Sequence, residues 1–322
     1  MQEIPVIDLS SLGNRQEARA TAVGQIADAC RNWGFFQVVN HGIPEHQIEK
    51  VWEVTADFFR LEMAEKRKIS RSRDNAWGYF DRELTKNARD QKEIFDFAKP
   101  PSQGLPDSAG NRWPAGLADF RTVLEQYFKN CERLSARILQ GFSLGLDLPA
   151  DRLAGYFGAD HTSFMRLNHY PLVDPLAGGE VDEAPPLGDM ALHHHTDAGA
   201  LTVLLQDDVG GLQVERSGEW IDIAPRKGAL VINIGDMSQV WSNDRYRAAL
   251  HRVRPVLGRA RYSIPFFYNP GYDSLIQPLE TMVGDGAKYA PFTWGEFRKK
   301  RADGDFADYG TEVQIRDYRK PE

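Results

Sequence analysis

Three residues in the second half of the chain restrict the possible fold more than any other feature. His195 and Asp197 form a His-x-Asp pair, and His251 follows 56 positions later (251 − 195). In a β-strand, side chains two positions apart point to the same face, so the pair converges on one ion if it lies on a strand or at its frayed end. Two imidazoles and one carboxylate leave one side of a metal open. Fe(II) needs this open side to bind a co-substrate and dioxygen together.

The run of three histidines at 193–195 leaves a second ligand pair open. His193 and His195 also share strand parity. We favour His195 with Asp197, because the carboxylate supplies the hard oxygen ligand that Fe(II) accepts. Structural roles are the simpler interpretation for five other histidines, His41, His46, His161, His169 and His194.

Two further polar pairs occur at strand spacing. Arg261 comes ten residues after His251 (261 − 251), and Ser263 follows it at strand spacing. A cation beside a hydroxyl can hold a carboxylate. Asn168 and Tyr170 form the other pair. Each residue taken singly could serve packing or a structural ion pair. Their joint order and parity favour one common site.

The hydrophobic pattern changes near residue 160. Before it, apolar residues at helical spacing predict helices over 14–33, from Pro44 onward and over about 119–146. Beyond it, short apolar runs end at turn residues and predict strands, including 201–205, a hairpin around Ser217-Gly218 and 228–234. Many short strands of this kind are typical of a jelly-roll barrel, which can bring distant residues to one cavity.

We therefore predict an α+β protein with a mainly β core. Its centre is a double-stranded β-helix, or jelly-roll barrel, with an N-terminal helical region and a C-terminal helix at about 291–301. The predicted division of this single catalytic unit, 1–322, is a helix-rich region 1–155, a jelly-roll core 156–290, and a closing helix and tail 291–322. The segments 173–189 and 104–110 are expected to be surface connections. A lid over the metal is the alternative for 173–189.

Composition excludes some partners and suggests a compartment. The chain has 39 Lys and Arg against 46 Asp and Glu, a formal charge of −7, which gives no electrostatic case for nucleic acid or an anionic membrane. No apolar run has membrane length and no N-terminal signal pattern is present, so a cytoplasmic location is expected. Cys30 and Cys131 lie on predicted helices and are expected to be buried free thiols.

The ordered motifs resemble the isopenicillin N synthase-like group of non-haem iron oxygenases, which includes plant-type 2-oxoglutarate-dependent dioxygenases. The resemblance covers nearly the whole chain. In the N-terminal half it rests on Ile4-Pro5-Val6-Ile7-Asp8, on residues 34–43 and on Lys92-Glu93. In the C-terminal half the motifs are 166–171, the His-x-Asp pair, 210–214, Asn233-Ile234-Gly235-Asp236, 241–243, 250–253 and Arg261-Tyr262-Ser263.

The resemblance implies roles for individual residues. His195, Asp197 and His251 would ligate Fe(II). Arg261 and Ser263 would bind the far carboxylate of 2-oxoglutarate. Tyr170 would donate to the same end, and Asn168 would help to hold the end that chelates iron. Dioxygen would be the remaining co-substrate.

The implied reaction is the oxidation of a small organic molecule, with release of succinate and carbon dioxide. Hydroxylation, desaturation and ring closure all remain open. So does an iron oxidase of the same fold that uses no 2-oxoglutarate, with Arg261 holding the substrate's own carboxylate. A Zn(II) hydrolase and a non-catalytic binding barrel remain open as well.

An aromatic-lined cavity is predicted for the prime substrate. The resemblance implies an aromatic beside the substrate at Phe267. The other predicted pocket-lining residues are Tyr79, Phe80, Glu83, Phe95 and Phe97.

Overall fold

The computed structural model describes residues 3–13, 16–85, 88–99, 110–177, 187–255, 257–284, 286–307 and 313–321. The predicted segment 104–110 and the central part of 173–189 fall mostly outside these ranges. The α-helices of the described residues are α1 Gln16–Asn32, α2 Glu45–Phe59, α3 Met63–Arg67, α4 Phe120–Leu144, α5 Asp236–Trp241 and α6 Trp294–Ala307.

The three long predicted helices are present with slightly shorter bounds. Helix α2 begins directly after Pro44, whose φ of −63° suits a helix start. Helix α4 places Leu124, Phe128 and Cys131 on one buried face, which packs against α1, α2 and the strands beneath it. This spacing of three and four residues is the reason that the helix could be predicted from the sequence.

Sixteen strands occur among the described residues. In chain order they are β1 Val6–Asp8, β2 Phe35–Val39, β3 Gly78–Phe80, β4 Leu84–Thr85, β5 Ala88–Arg89, β6 Glu93–Ala98, β7 Phe164–Tyr170, β8 Leu192–His195, β9 Leu201–Gln206, β10 Leu212–Arg216, β11 Glu219–Asp222, β12 Leu230–Ile234, β13 His251–Val253, β14 Arg261–Tyr268, β15 Leu275–Ile276 and β16 Phe292–Thr293.

Two sheets enclose the cavity that holds the predicted site. The large sheet has the order β1-β2-β12-β9-β14-β7-β6-β3, and the small sheet has the order β11-β10-β13-β8. Strands of both sheets contribute side chains to the cavity. The fold is therefore a mixed α+β structure with a double-stranded β-helix core, as predicted from the strand pattern.

The predicted hairpin around Ser217-Gly218 is confirmed. Strands β10 and β11 pair antiparallel, with Arg216 opposite Glu219. The two turn residues have φ values of 54° and 85°. Both are in the left-handed region that a two-residue hairpin turn of this type requires, and Gly218 adopts it without steric cost.

The N-terminal part contributes more strand than its sequence pattern predicts. Strands β1, β2, β3 and β6 come from the region before residue 155 and form half of the large sheet. Helix α5 was not predicted, because Gly235-Asp236 is also typical of a turn. The proposed boundaries at 155/156 and 290/291 stay predictions. The closing helix runs from Trp294 to Ala307, later than the predicted 291–301.

The described ends of the 173–189 connection are both attached to Arg89. Its guanidinium forms an ion pair with Asp174, and its carbonyl accepts a hydrogen bond from the Gly188 N–H at 2.8 Å. Residues 178–186 lie outside the described residues.

The structure shows the state of both cysteines and the character of the helices among the described residues. Cys30 and Cys131 are free and buried, as predicted. Among the residues that the structure describes, no helix combines the length and apolar character that crossing a membrane requires.

Candidate metal and co-substrate site

The three predicted metal ligands meet at one point between the two sheets. Candidate ligand atoms of His195, Asp197 and His251 all lie within 4.8 Å of one another. Oδ1 of Asp197 is 3.5 Å from Nε2 of His195 and 3.6 Å from Nε2 of His251. His195 ends β8, Asp197 follows it, and His251 begins β13. The frayed end of a strand therefore supplies the His-x-Asp pair.

His193 takes no part in this cluster. Its Nδ1 lies 3.2 Å from Asp90, and its Nε2 lies 3.2 Å from Asp189. The competing pair of His193 with His195 is therefore not assembled, although strand parity allowed it.

Backbone carbonyls fix the orientation of both histidine rings. Nδ1 of His195 is 2.8 Å from the carbonyl of His193, and Nδ1 of His251 is 3.2 Å from the carbonyl of Ala249. Because a carbonyl oxygen can only accept, each Nδ1 donates its proton there. In a neutral ring, each Nε2 is then the lone-pair nitrogen that faces the cluster, which is the tautomer that a metal requires.

The electrostatics of the cluster favour the metal-binding forms of Asp197 and His251. Burial alone would raise the pKa of Asp197, but His251, His195 and the Thr202 hydroxyl hold that pKa well below its usual range. Burial lowers the pKa of His251 to about 4. Burial also acts to lower the pKa of His195, but the adjacent Asp197 outweighs it and raises that pKa. Asp197 is thus ionised and His251 neutral at neutral pH.

The loop that carries Asp197 rests on the start of α5. The N–H of Asp236 donates to the Asp197 carbonyl at 2.8 Å, and the N–H of Met237 donates to the Gly199 carbonyl at 3.0 Å. A Cβ at Gly235 would lie 2.1 Å from the Gly199 carbonyl oxygen. Only glycine permits this close approach, so the 233–236 motif supports the metal loop.

The cross-strand pairs of β7 and β14 build the second part of the site. Arg261 pairs with Tyr170, and Ser263 pairs with Asn168. Their side chains line the same cavity as the three candidate ligands. The guanidinium of Arg261 lies 4.9 Å from the centre of the Tyr170 ring. The two pairs recognised by parity in the sequence are thus direct neighbours in the sheet.

Arg261 is buried and held by hydrogen bonds to neutral groups. The residue is 1% exposed. Its Nε donates to the Gly210 carbonyl at 2.8 Å and its Nη1 to Oγ of Ser263 at 3.2 Å, while Oε1 of Gln206 lies 3.5 Å from its Nη2. Among the described residues, no Asp or Glu forms an ion pair with it. A buried guanidinium without an anion is costly, so a bound carboxylate fits this position.

Asn168 also retains free hydrogen-bonding capacity. Its Nδ2 donates to Oγ of Ser263 at 3.3 Å, and its buried Oδ1 has no partner among the described residues. A hydrogen-bond donor in the cavity would satisfy this oxygen, while the second N–H of the amide could donate to a carboxylate. The donor set of the cluster, the lone guanidinium and this amide all fit a divalent metal beside a small dicarboxylate.

The cavity has a volume of about 170 Å³, a size that limits its occupants to small molecules. Phe267 and Phe164 line one part of it and are cross-strand partners. Their rings stack with centroids 4.5 Å apart. The guanidinium of Arg298 on α6 lies 5.5 Å from the Phe164 ring centre. This part of the cavity therefore combines a flat apolar surface with a cation.

Glu83, a predicted substrate contact, lies in the cavity wall within an ion cluster. Its Oε2 accepts hydrogen bonds from Lys92 and Arg166, both at 2.7 Å. Burial alone would raise the pKa of Glu83, but Arg166, Lys92 and Arg71 hold it well below its usual range. Glu83 is therefore an ionised part of the wall, already paired with cations.

The structure places four other predicted substrate-facing residues elsewhere, which corrects the sequence prediction. Tyr79, Phe95 and Phe97 are buried in the main hydrophobic core, where the hydroxyl of Tyr79 donates to Glu93 at 2.7 Å. Phe80 packs against the guanidinium of Arg71 at 3.6 Å. Aromatic residues of the core and of the pocket show the same pattern in a sequence. The position of these four residues near the Lys92-Glu93 motif therefore did not show which of them face the cavity.

Sequence reasoning missed several residues of the site. Phe164 forms the stack with Phe267, and Gln206 orients Arg261. Thr202 and Asn233 contact the Asp197 carboxylate. Arg298 and Arg301 reach the cavity from α6. Strand parity could have indicated which face Thr202 and Asn233 occupy, but the sequence does not give the register between their two strands.

Two family profiles match the chain. One, described as the non-haem dioxygenase in morphine synthesis N-terminal region, matches residues 4–116. The other, the 2OG-Fe(II) oxygenase superfamily, matches residues 161–270. The second match contains all three candidate metal ligands. It also contains the residues around the buried guanidinium, Asn168, Tyr170, Arg261 and Ser263.

Plant enzymes are among the similar proteins. A homoarginine-6-hydroxylase of Arabidopsis thaliana is 36% identical, over 87% of this chain and 88% of the relative. The 1-aminocyclopropane-1-carboxylate oxidase 5 of the same plant is 34% identical, over 91% of this chain and 92% of the relative.

Solved structures of similar fold include complexes. The crystal structure of JOX2 in complex with 2OG, Fe and JA has a TM-score of 0.82 and 31% identity, covering 99% of this chain and 90% of that one. A dioxygenase for auxin oxidation in rice has a TM-score of 0.74 and 26% identity, covering 99% of this chain and 100% of that one.

Proposed function

Since this chain belongs to the 2OG-Fe(II) oxygenase superfamily, we propose that it holds Fe(II) with His195, Asp197 and His251 and that it oxidises a small organic molecule. The protein is a non-haem Fe(II)- and 2-oxoglutarate-dependent oxygenase. The residue roles and the nature of the prime substrate are the parts that we propose.

One observation carries the assignment of the co-substrate pocket. The Arg261 guanidinium is buried in the same cavity as the three-ligand cluster and has no carboxylate partner among the described residues. A dicarboxylate that reaches from the metal to Arg261 would neutralise this charge. A guanidinium can grip a carboxylate with two parallel N–H donors, which a lysine cannot do.

The side chains around the pocket orient this ligand. Arg261 and Ser263 would bind the far carboxylate of 2-oxoglutarate, with Tyr170 on the same side. Asn168 would contact the end that chelates iron, since one N–H of its amide remains free after the bond to Ser263. When bound, iron would activate dioxygen, and 2-oxoglutarate would supply two electrons to it through oxidative decarboxylation to succinate and carbon dioxide.

The chain itself contributes binding, orientation and exclusion of water. His195 and His251 present their Nε2 atoms from fixed rings, and Asp197 presents one oxygen. The two sheets bury these groups, which strengthens electrostatic interactions inside the cavity. At neutral pH, Asp197 is already ionised and His251 is already neutral. His195, whose pKa is raised, would lose any proton that it carries when the metal binds.

The prime substrate is proposed to be a small molecule with an apolar, flat portion. The Phe164–Phe267 stack offers the surface for this portion. Arg298 above Phe164 is suited to a negatively charged or hydrogen-bond-accepting group. The relatives named for homoarginine hydroxylation and auxin oxidation, and the complex with JA, support a small-molecule substrate. Hydroxylation, desaturation and ring closure are all compatible with this arrangement.

A compartment can also be proposed. Both cysteines are buried free thiols, which is usual for proteins of reducing compartments. Ferrous iron is also stable there, so we propose a cytoplasmic location.

The test is a turnover assay with purified protein and Fe(II). Succinate release that requires iron, dioxygen and 2-oxoglutarate supports the proposal, and a compound panel then identifies stimulating substrates. Oxidation of a compound without any need for 2-oxoglutarate would instead indicate the oxidase function. Activity that zinc sustains and iron abolishes would indicate a hydrolase.

A further inference from the structure

We propose that Thr202 and Asn233 are positioning residues that hold Asp197 as a one-oxygen ligand of the metal. This inference rests on the proposed metal site. It concerns two side chains on strands of the large sheet, while both histidines of the cluster belong to strands of the small sheet.

Both residues contact the same oxygen of the carboxylate. Nδ2 of Asn233 donates to Oδ2 of Asp197 at 2.8 Å, and the hydroxyl of Thr202 also donates to Oδ2. The other oxygen, Oδ1, is the one that faces Nε2 of His195 and of His251. The two oxygens of Asp197 thus have different roles. Oδ2 accepts hydrogen bonds from the protein, and Oδ1 faces the proposed metal position.

The sheet register explains why the two donors act together. Asn233 on β12 and Thr202 on β9 are direct cross-strand partners. They are 2% and 3% exposed, and Thr202 has a β-branched side chain with restricted rotation. The pair is therefore a rigid two-donor surface, and the carboxylate cannot rotate about its axis without losing both hydrogen bonds.

The same row of the sheet continues to the substrate side of the cavity. Thr202 pairs with Phe267 on β14, and Phe267 pairs with Phe164 on β7. The donors that orient the metal ligand are therefore adjacent to the aromatic surface proposed for the substrate. One row of the large sheet thus carries both the donors to Asp197 and the aromatic surface proposed for the substrate.

The consequence concerns the number of open metal positions. A carboxylate that binds through both oxygens occupies two positions of a six-coordinate ion. With Oδ2 engaged by two donors, Asp197 would occupy only one position, and three would remain for the co-substrate and dioxygen. Partners of this kind fix ligand geometry, and their removal typically costs 10–100-fold in metal affinity.

A purely structural role is the competing explanation, because any buried carboxylate needs hydrogen-bond donors. That role predicts lower thermal stability after substitution but no selective loss of metal affinity. The two roles therefore separate when metal affinity and stability are measured on the same variants.

The experiment is anaerobic calorimetric titration of the metal-free protein with Fe(II), together with the melting temperature of each metal-free variant. Thr202→Val removes the hydroxyl at nearly constant volume, and Asn233→Leu removes the amide. We expect about 10–100-fold weaker Fe(II) binding for each. Thr202→Ser keeps the hydroxyl and is expected to restore binding to within about threefold.

Thr55 provides a matched control. Its hydroxyl is also buried, lies on α2 outside the cavity and has no hydrogen-bond partner among the described residues. Thr55→Val is expected to leave Fe(II) affinity unchanged.

Fe(II) affinity of both Thr202→Val and Asn233→Leu within twofold of the unchanged protein would overturn the inference, whatever their melting temperatures. If one variant fails to fold, the other and the Thr202→Ser comparison decide. Failure of the unchanged protein to bind Fe(II) would instead contradict the proposed function itself.

Discussion

His251 and His195 are direct register partners on β13 and β8, with ring centroids 4.3 Å apart. The antiparallel pairing of two short strands therefore joins residues that are 56 positions apart in the sequence (251 − 195). Asp197 completes the cluster from the loop just beyond β8. The metal site is thus a product of strand register, and changes to its side chains should affect metal binding more than folding.

The first prediction concerns the ligands themselves. His251→Ala and Asp197→Ala are expected to abolish Fe(II) uptake and succinate formation, because each removes one of the three proposed protein ligands. Anaerobic metal titration and a succinate assay check both effects. His193→Ala serves as the control, since the His193 side chain lies outside the cluster on Asp90 and Asp189, and it should retain Fe(II) binding. Normal turnover by the Asp197 variant would contradict the ligand assignment.

The second prediction concerns the buried guanidinium. Arg261→Met should raise the KM for 2-oxoglutarate by about 10–100-fold, since charge-assisted hydrogen bonds contribute about 1.5–3 kcal/mol. Arg261→Lys should lie between this variant and the unchanged protein, because lysine keeps the charge but not the paired donors. Arg259→Met is the control, as Arg259 is exposed and pairs with Asp208 on the surface. An unchanged KM in Arg261→Met would rule out this pocket for 2-oxoglutarate.

The third prediction concerns the aromatic surface. Phe267→Ala should raise the KM for the prime substrate, once a compound panel has identified one, because it removes one ring of the stack with Phe164. Succinate release in the absence of substrate should change little, since Phe267 lies six positions beyond Arg261 on β14 (267 − 261). Equal loss of both activities would show that the substitution disturbs the whole cavity.

The fourth prediction concerns acid stability. Glu93 contacts Lys66 at 2.6 Å and His169 at 2.7 Å. Burial alone would raise the pKa of Glu93, but these partners lower it below 4.5. Because the folded-state pKa is depressed, this stabilisation is present above pH 4.5 and is lost as the pH falls through the folded-state value.

Glu93→Gln tests this prediction. It should lower stability by about 3 kcal/mol at neutral pH, because Lys66 stays buried without its ion pair. The difference from the unchanged protein should shrink on acidification below pH 4.5. Urea unfolding between pH 7 and 3.5 measures both effects. A difference that stays constant over this range would exclude Glu93 as a source of acid sensitivity.

The sequence made the clustering of the proposed metal ligands and of the proposed 2-oxoglutarate pocket predictable because the signals for both are local. His195 with Asp197, Arg261 with Ser263, and Asn168 with Tyr170 each need only the two-residue period of a strand. The barrel followed from short strands and turn residues, and the hairpin at Ser217-Gly218 from its turn chemistry.

The residues that escaped prediction depend on register between strands. Thr202 meets Asn233 and Phe267 only because β9 lies between β12 and β14 with a particular alignment. Phe95 was expected in the pocket, yet the pairing of β6 with β7 turns it into the core. The register between strands is determined by the packing of the whole sheet, so no local sequence pattern predicts it.

The central claim is most directly tested by diffraction at the iron absorption edge from crystals grown anaerobically with Fe(II) and 2-oxoglutarate. We predict one iron peak, bonded to Nε2 of His195 and His251 and to Oδ1 of Asp197, with the far carboxylate of 2-oxoglutarate on Arg261. An iron peak at another position, or none between these three side chains, would contradict it.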